Sequence, residues 1–392
     1  MDRRAFLRAS AVLAGGALIS GSRSRPAFAA PIPDPGPYGA IASTPNADGW
    51  RLPPGFTSRL LAVSGQPVGA TAHVWHQLPD GGACAARRDG GWVYLSNGET
   101  ASRGGGVSAI SFDAGGAITG AYDVLAGTTR SCSGGMTPWG TYLSGEEHSA
   151  GQVYECNPLA PGQGVLRSAL GTFNHEMIAI DPLTGYVYMV EDHAAGRLYR
   201  FVPKRRGDLS TGTLYAATVT RSKVTWSVTS ATAPNRAANT TVFSGGEGAW
   251  IMRGVLYITT KSDVRVYRLD LAGQQISVFY DYATVPTSTL NAVDNVAGHE
   301  PSGDLFVAED GGNMEIGLLT TVGPATVTRF GRLMGQDLSE VSGLAFSPDH
   351  SRLYVSSQRG IDGTTGRTYE ISGPFRRPAR GRINAPRPRT TP

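Results

Sequence analysis

The feature that most constrains this chain is a weak internal repeat. Six triplets centred on an aromatic recur along it: Val93-Tyr94-Leu95, Thr141-Tyr142-Leu143, Val187-Tyr188-Met189, Leu256-Tyr257-Ile258, Leu305-Phe306-Val307 and Leu353-Tyr354-Val355. Successive aromatics are 48, 46, 69, 49 and 48 residues apart. A turn precedes each triplet, as in Asp181-Pro182-Leu183-Thr184-Gly185 and Ser347-Pro348-Asp349-His350-Ser351. One strand lies ahead of the turn, as at 177–180 and 343–346, and a further one follows the triplet, as at 197–202 and 264–269. Three or four antiparallel strands in about 48 residues make one propeller blade. The repeat therefore predicts an all-β fold, a six-bladed β-propeller. The one long step holds a polar insertion, 204–243, that reads as an elaborated loop.

Composition agrees with this reading. Glycine (52) and proline (25) are abundant, yet 40% of the residues are hydrophobic, which excludes a disordered chain. Only 17% are charged, which argues against a solvated helical or coiled-coil protein. The net charge of +4 is unevenly placed: residues 1–29 carry +4 and residues 376–392 carry +6, so the body from 30 to 375 carries −6. An acidic body points to cations rather than to nucleic acid.

The first 29 residues read as a twin-arginine export signal. Arg3-Arg4 precedes Phe6-Leu7, an apolar stretch runs from 9 to 19, and Ala27-Phe28-Ala29 offers a small-x-small cleavage site. The stretch is far shorter than the roughly 20 residues of a membrane span. The expected partners thus include the twin-arginine export machinery, the expected location is periplasmic or extracellular, and no stable membrane span is expected. The propeller is expected over 30–375, followed by a disordered basic tail over 376–392.

In a propeller, the start of each first strand and the end of each second strand meet at one mouth of the central channel. Second strands end at Glu99, Glu146-Glu147, Glu191-Asp192 and Glu309-Asp310, whereas Lys261 and Gln358 break the pattern. First strands start at or near Cys132, Glu176, Glu247, Asp294 and Glu340. Carboxylates crowded in a channel repel one another unless neutralised, and a bound metal is the economical neutraliser. Carboxylate oxygens suit calcium, and a thiolate calls for a softer or higher-valent metal such as iron. His175, beside Glu176, reads as a hydrogen-bonded core residue. Cys84 and Cys156 are free to pair, which would leave Cys132 as a thiol. No Gly-x-Ser-x-Gly elbow, phosphate-binding Gly-x-x-x-x-Gly-Lys loop or His-Glu-x-x-His motif occurs.

The segment Cys132-Ser-Gly-Gly-Met-Thr-Pro-Trp-Gly-Thr-Tyr-Leu-Ser-Gly-Glu146-Glu147 resembles a signature of the PhoX-type alkaline phosphatases. Asn174-His175-Glu176 through Glu191-Asp192, Glu247-Gly248-Ala249-Trp250, Asp294-Asn295 with Glu309-Asp310-Gly311, and Glu340 through Asp349 extend the resemblance in the family's order over about 90–360. The resemblance implies a twin-arginine-exported propeller that hydrolyses phosphate esters with an iron and calcium cluster. It implies that Cys132 is a thiolate bridging the irons and that Glu147, Glu176 and Glu247 are metal ligands. Glu99, Glu191, Asp192, Asp294 and Glu309 become candidates for iron or calcium. The family motif carries an arginine two residues before the Glu of Glu-Gly, where this chain has Gly245, so Arg236 and Arg253 are candidate replacements.

The leading expectation is a metal-dependent phosphoesterase acting on a small-molecule phosphate ester, with Cys132, Glu147, Glu176 and Glu247 at its catalytic centre. A calcium-dependent lactonase or esterase and a non-catalytic, calcium-stabilised binding propeller are the alternatives.

Overall fold

A computed structural model describes residues 36–377, apart from 163, 233, 235, 237–238, 286–289 and 323–324. The expected export signal, and the basic tail from 378 onward, lie outside the described residues. Among those described, every regular element is a strand except two single-turn 3-10 helices, Ser168–Leu170 and Tyr282–Thr284. Among the described residues, no helix is long and apolar enough to cross a membrane.

The strands form propeller-like antiparallel sheets. Three have four strands, one has five, and one has nine. The nine-stranded sheet holds two runs, 175–228 and 246–281, joined where Lys223 pairs with Gln275. The polar insertion is thus not an elaborated loop over its whole length. Asp208–Thr220 and Lys223–Val228 extend the sheet, and their β-branched and aromatic residues favour that outcome. No strand covers the described residues between Val228 and Gly246.

Each repeat places its first strand innermost. Pro79–Ala86, Ser131–Met136, His175–Ile180, Gly246–Met252, Val293–His299 and Val341–Phe346 contact one another in chain order, and the last also contacts the first. The second strands carry the aromatic triplets and are covered on both faces. Tyr94, Tyr142, Tyr188, Phe306 and Tyr354 are all essentially inaccessible. Faces covered on both sides explain why these strands read as continuous apolar runs rather than as alternation. Buried hydroxyls keep partners: Tyr142 donates to Asn97 Oδ1 at 2.8 Å, and the Trp92 indole donates to the Tyr354 oxygen at 2.7 Å.

The chain's two ends are stitched together. Thr57–Val63 pairs antiparallel with Arg367–Ser372, so an early strand completes the last sheet. Trp50–Arg51 adds to the edge of Val327–Leu333. Arg376 is anchored as well, its guanidinium paired with buried Asp304. The three cysteines are all free thiols, so Cys84 and Cys156 do not form the disulfide that their separation in sequence allowed.

Candidate metal centre

One local device recurs in all six first strands. Each slips register near its start: between Pro79 and Gly82, Ser131 and Gly134, His175 and Ile178, Gly246 and Ala249, Val293 and Val296, and Ser342 and Ala345. Such bulges re-aim side chains. Here the second residue of each strand, namely Asp80, Cys132, Glu176, Glu247, Asp294 and Ser342, stands at equivalent places around one mouth. Gly134 and Gly135 let the backbone close up behind Cys132. A Cβ at either would lie 1.9 Å from a carbonyl oxygen, of Leu143 or of Ile178.

The second strands contribute through their last residue and the one after it. Adjacent residues point to opposite sides, so each acidic pair divides its roles. The first member braces loops away from the cavity. Glu146 accepts from Thr129 N at 2.7 Å and Gln152 N at 3.2 Å. Glu191 accepts from Arg197 N at 3.2 Å and the Tyr199 hydroxyl at 3.1 Å, and pairs with Arg236. Glu309 accepts from Asn291 N at 2.7 Å. The structure therefore does not bring Glu146, Glu191 or Glu309 into the cavity, because their lone pairs serve backbone N–H groups. The second members, Glu147, Asp192 and Asp310, face the mouth together with Glu99, Lys261 and Gln358 at the matching positions.

The resulting cavity, about 290 Å³, is lined by eight carboxylates (Asp80, Glu99, Glu147, Glu176, Glu247, Asp294, Asp310 and Glu340), the thiol of Cys132 and three cationic side chains (Arg130, Lys261 and Arg359). Ligand atoms of Asp80, Glu99 and Cys132 lie within 4.8 Å of one another, and so do those of Cys132, Glu147 and Glu176. Cys132 is shared by both groups, and its Sγ lies 3.4 Å from Asp80 Oδ2. The Gln358 amide donates to Asp80 and, at 3.1 Å, to Glu99.

The cations are distributed unequally. Lys261 Nζ lies 2.5 Å from Glu247 and 2.8 Å from Asp192, and Arg359 lies 2.7 Å from Glu340. Among the described residues, no ion pair reaches Asp80, Glu99, Glu147 or Glu176, and Glu176 Oε2 is buried without a hydrogen-bond partner. Burial, reinforced by the Glu99 carboxylate, lifts Asp80 to about 7. Burial and the neighbouring Glu99 and Asp192 lift Glu147 to about 9. Burial and Glu247 raise Glu176 well above the carboxylate range. Burial and then Asp80 raise the Cys132 thiol. Burial and like charge thus favour the protonated forms of Asp80, Glu147, Glu176 and Cys132. A multivalent cation would supply that neutralisation instead of protons, and a thiol beside four carboxyl groups is a donor set that iron and calcium would fit.

The structure brings Glu99, Cys132, Glu147, Glu176, Glu247, Asp294 and Asp310 to one cavity, and Asp192 is ion-paired to Lys261 beside it. His175 is core: its Nε2 lies 3.1 Å from Gly171 O and its ring packs on Phe173. Neither candidate replacement for the missing arginine reaches the mouth, since Arg236 is engaged by Glu191 and Arg253 donates to Glu300 O at 2.7 Å. Asp80 was not anticipated. Its setting, Leu78-Pro79-Asp80-Gly81-Gly82, has turn chemistry and hides a strand start, although its position matches Cys132 and Glu176 in the repeat. Arg130 and Arg359 were also unforeseen, having no counterparts in the other repeats.

A family model described as alkaline phosphatase PhoX matches residues 82–163 and 148–252. The fold resembles that of Pseudomonas fluorescens PhoX solved with vanadate, a transition-state analogue: TM-score 0.68 and 17% identity, over 85% of this chain and 98% of that one. It also resembles a Bacteroides thetaiotaomicron protein of unknown function (TM-score 0.53, 11% identity, 81% of this chain and 76% of that one). A putative gluconolactonase is similar at TM-score 0.50 and 13% identity, over 86% of this chain and 98% of that one. No curated protein matches the sequence. At these identities the structural likenesses speak for the fold.

Proposed function

This chain is related to the PhoX-type alkaline phosphatases, and on that premise we propose that it is an exported phosphoric ester hydrolase whose channel mouth holds iron and calcium. The observation that carries the reading is the cluster of Cys132 with Asp80, Glu99, Glu147 and Glu176, a buried to half-buried donor set whose carboxyl groups form no ion pair among the described residues. Those five residues would hold the ions, with Asp294 and Asp310 beside them. Bound metal supplies Lewis-acid polarisation of the phosphoryl oxygens and neutralises charge developed in the transition state.

The chain's own side chains do the positioning. Arg130 lines the cavity, ion-pairs with no carboxylate among the described residues, and is held in a left-handed backbone conformation (φ 50°) by its N–H to Thr100 O and its carbonyl to Glu147 N. It is the guanidinium free to orient a phosphate, whereas Arg359 is engaged by Glu340. Phosphate monoesters are the substrate class that a compact, polar, cation-bearing mouth suits best.

The nine-stranded sheet then comprises two blades joined where Lys223 pairs with Gln275, which makes the propeller six-bladed. Arg3-Arg4 and the apolar run after it support twin-arginine export of the folded, metal-loaded protein to the periplasm or beyond.

The test is elemental analysis of the purified chain, together with hydrolysis of p-nitrophenyl phosphate before and after chelation. Iron with calcium, and hydrolysis that chelation abolishes, are expected. A metal-free protein, or a metal-loaded one inert towards phosphate esters, refutes the reading. Calcium alone with lactone hydrolysis would favour the lactonase alternative.

A further inference from the structure

The second-strand positions facing the mouth are Glu99, Glu147, Asp192, Lys261, Asp310 and Gln358, and Lys261 is the one cation among them. We propose that Lys261 is a built-in cation of this site: its ammonium fills the corner between Asp192 and Glu247 that a metal ion would otherwise take. The protein's metals are thereby confined to the Cys132 side of the cavity. The inference rests on the reading that the mouth holds metal, and it changes the role of Glu247 from metal ligand to partner of a lysine.

Three observations support it. Nζ touches both carboxylates, at 2.5 Å to Glu247 and 2.8 Å to Asp192, which are ion-pair distances. Burial works against the charge on Lys261, but the two carboxylates outweigh it and hold the ammonium protonated. The neighbouring backbone is also shaped around the lysine. Gly245 has φ +62°, its carbonyl accepts the Lys261 N–H at 2.8 Å, and a Cβ there would lie 2.9 Å from Lys261 Cγ. A side chain at 245 and the lysine stem would compete for one space.

Without the ammonium, Asp192 and Glu247 would face each other beside Glu147 and Asp294, whose charges already act on this corner. Four carboxylates at a partly open mouth form an oxygen-rich set of the kind calcium takes. One residue thus sets how many ions the cavity holds and where they sit.

The experiment is metal content per chain, measured on the full-length protein purified with iron and calcium, for wild type, Lys261→Met and Glu247→Gln. Lys261→Met is expected to gain about one equivalent of calcium and a calcium-dependent rise in melting temperature that wild type lacks. Glu247→Gln is expected to keep the wild-type iron and calcium content. Unchanged metal content in a folded Lys261→Met protein overturns the proposal, and so does loss of metal from Glu247→Gln. If Lys261→Met does not fold, Glu247→Gln decides alone. A wild-type protein without metal would instead refute the metal-centre reading itself, so the two failures are distinguishable.

Discussion

Removing the metal should make this protein sensitive to alkali, and the size of the effect can be worked from one residue. In the metal-free state burial and Glu99 lift Asp80 from 3.8 to about 7. A carboxyl whose folded value stands above its unfolded value binds its proton more tightly when folded, so its contribution to stability falls as pH rises. The loss begins near the unfolded value and is complete above about 7 for Asp80 and above about 9 for Glu147. At about 1.4 kcal/mol per pH unit, Asp80 alone accounts for roughly 4 kcal/mol. Total stabilities of folded domains are typically only about 5–15 kcal/mol. With an unfolding entropy near 2.1 cal/mol/K per residue, 4 kcal/mol corresponds to a fall in melting temperature of roughly 5 °C in a chain of this size. The assay is thermal unfolding by circular dichroism at pH 5, 7 and 9, with and without chelator. The gap between metal-loaded and chelated protein should widen steadily with pH. A chelated protein as stable at pH 9 as at pH 5 would mean that other charges neutralise these carboxylates, and the argument for a metal would fall with it.

Cys132→Ala should remove iron and abolish phosphate-ester hydrolysis while leaving the fold intact, because the side chain lost is small; elemental analysis and far-UV dichroism read the two effects. Arg130→Gln should raise KM for p-nitrophenyl phosphate about tenfold or more, since a charge-assisted hydrogen bond is worth about 1.5–3 kcal/mol, and should leave metal content unchanged. Gly245→Arg should lower stability by about 1–3 kcal/mol, for the left-handed backbone is strained with a side chain and the new Cβ meets Ser262 Oγ at 2.8 Å as well as the Lys261 stem; higher phosphatase activity in this variant would contradict the structure. Tyr354→Ala should cost about 3–5 kcal/mol as a large buried ring is deleted, measurable by denaturant unfolding.

The propeller was legible because its middle strands are buried on both faces. Tyr94, Tyr142 and Tyr354 mark a period that survives any change of loops, since each aromatic fills the space between stacked sheets. The closure of the ring was not legible. Thr57–Val63 pairs with Arg367–Ser372 across the whole chain, and no local pattern announces a partner so far away. The insertion misled for a different reason. Thr, Ser and Lys on its strands are largely solvent-exposed, so a polar composition that suggested a loop belongs to a partly exposed stretch in the middle of the nine-stranded sheet.

At the site, reading acids as pairs located the mouth but could not divide the work within each pair. Glu146 and Glu147 are the same chemistry one residue apart, and only the direction of the pleat separates a brace for Thr129 from a wall of the cavity. That division repeats at Glu191-Asp192 and Glu309-Asp310, so it is a property of the strand ending and not of any one residue. The same register accounts for Asp80 and Lys261. Both occupy slots that the repeat had already defined, the first disguised by Pro79 and Gly81 as a turn, the second an exception in charge. This propeller thus builds its centre from a ring of equivalent slots, in which chemistry is set by substitution: a thiol at 132, an ammonium at 261 and carboxyl groups at most of the other slots.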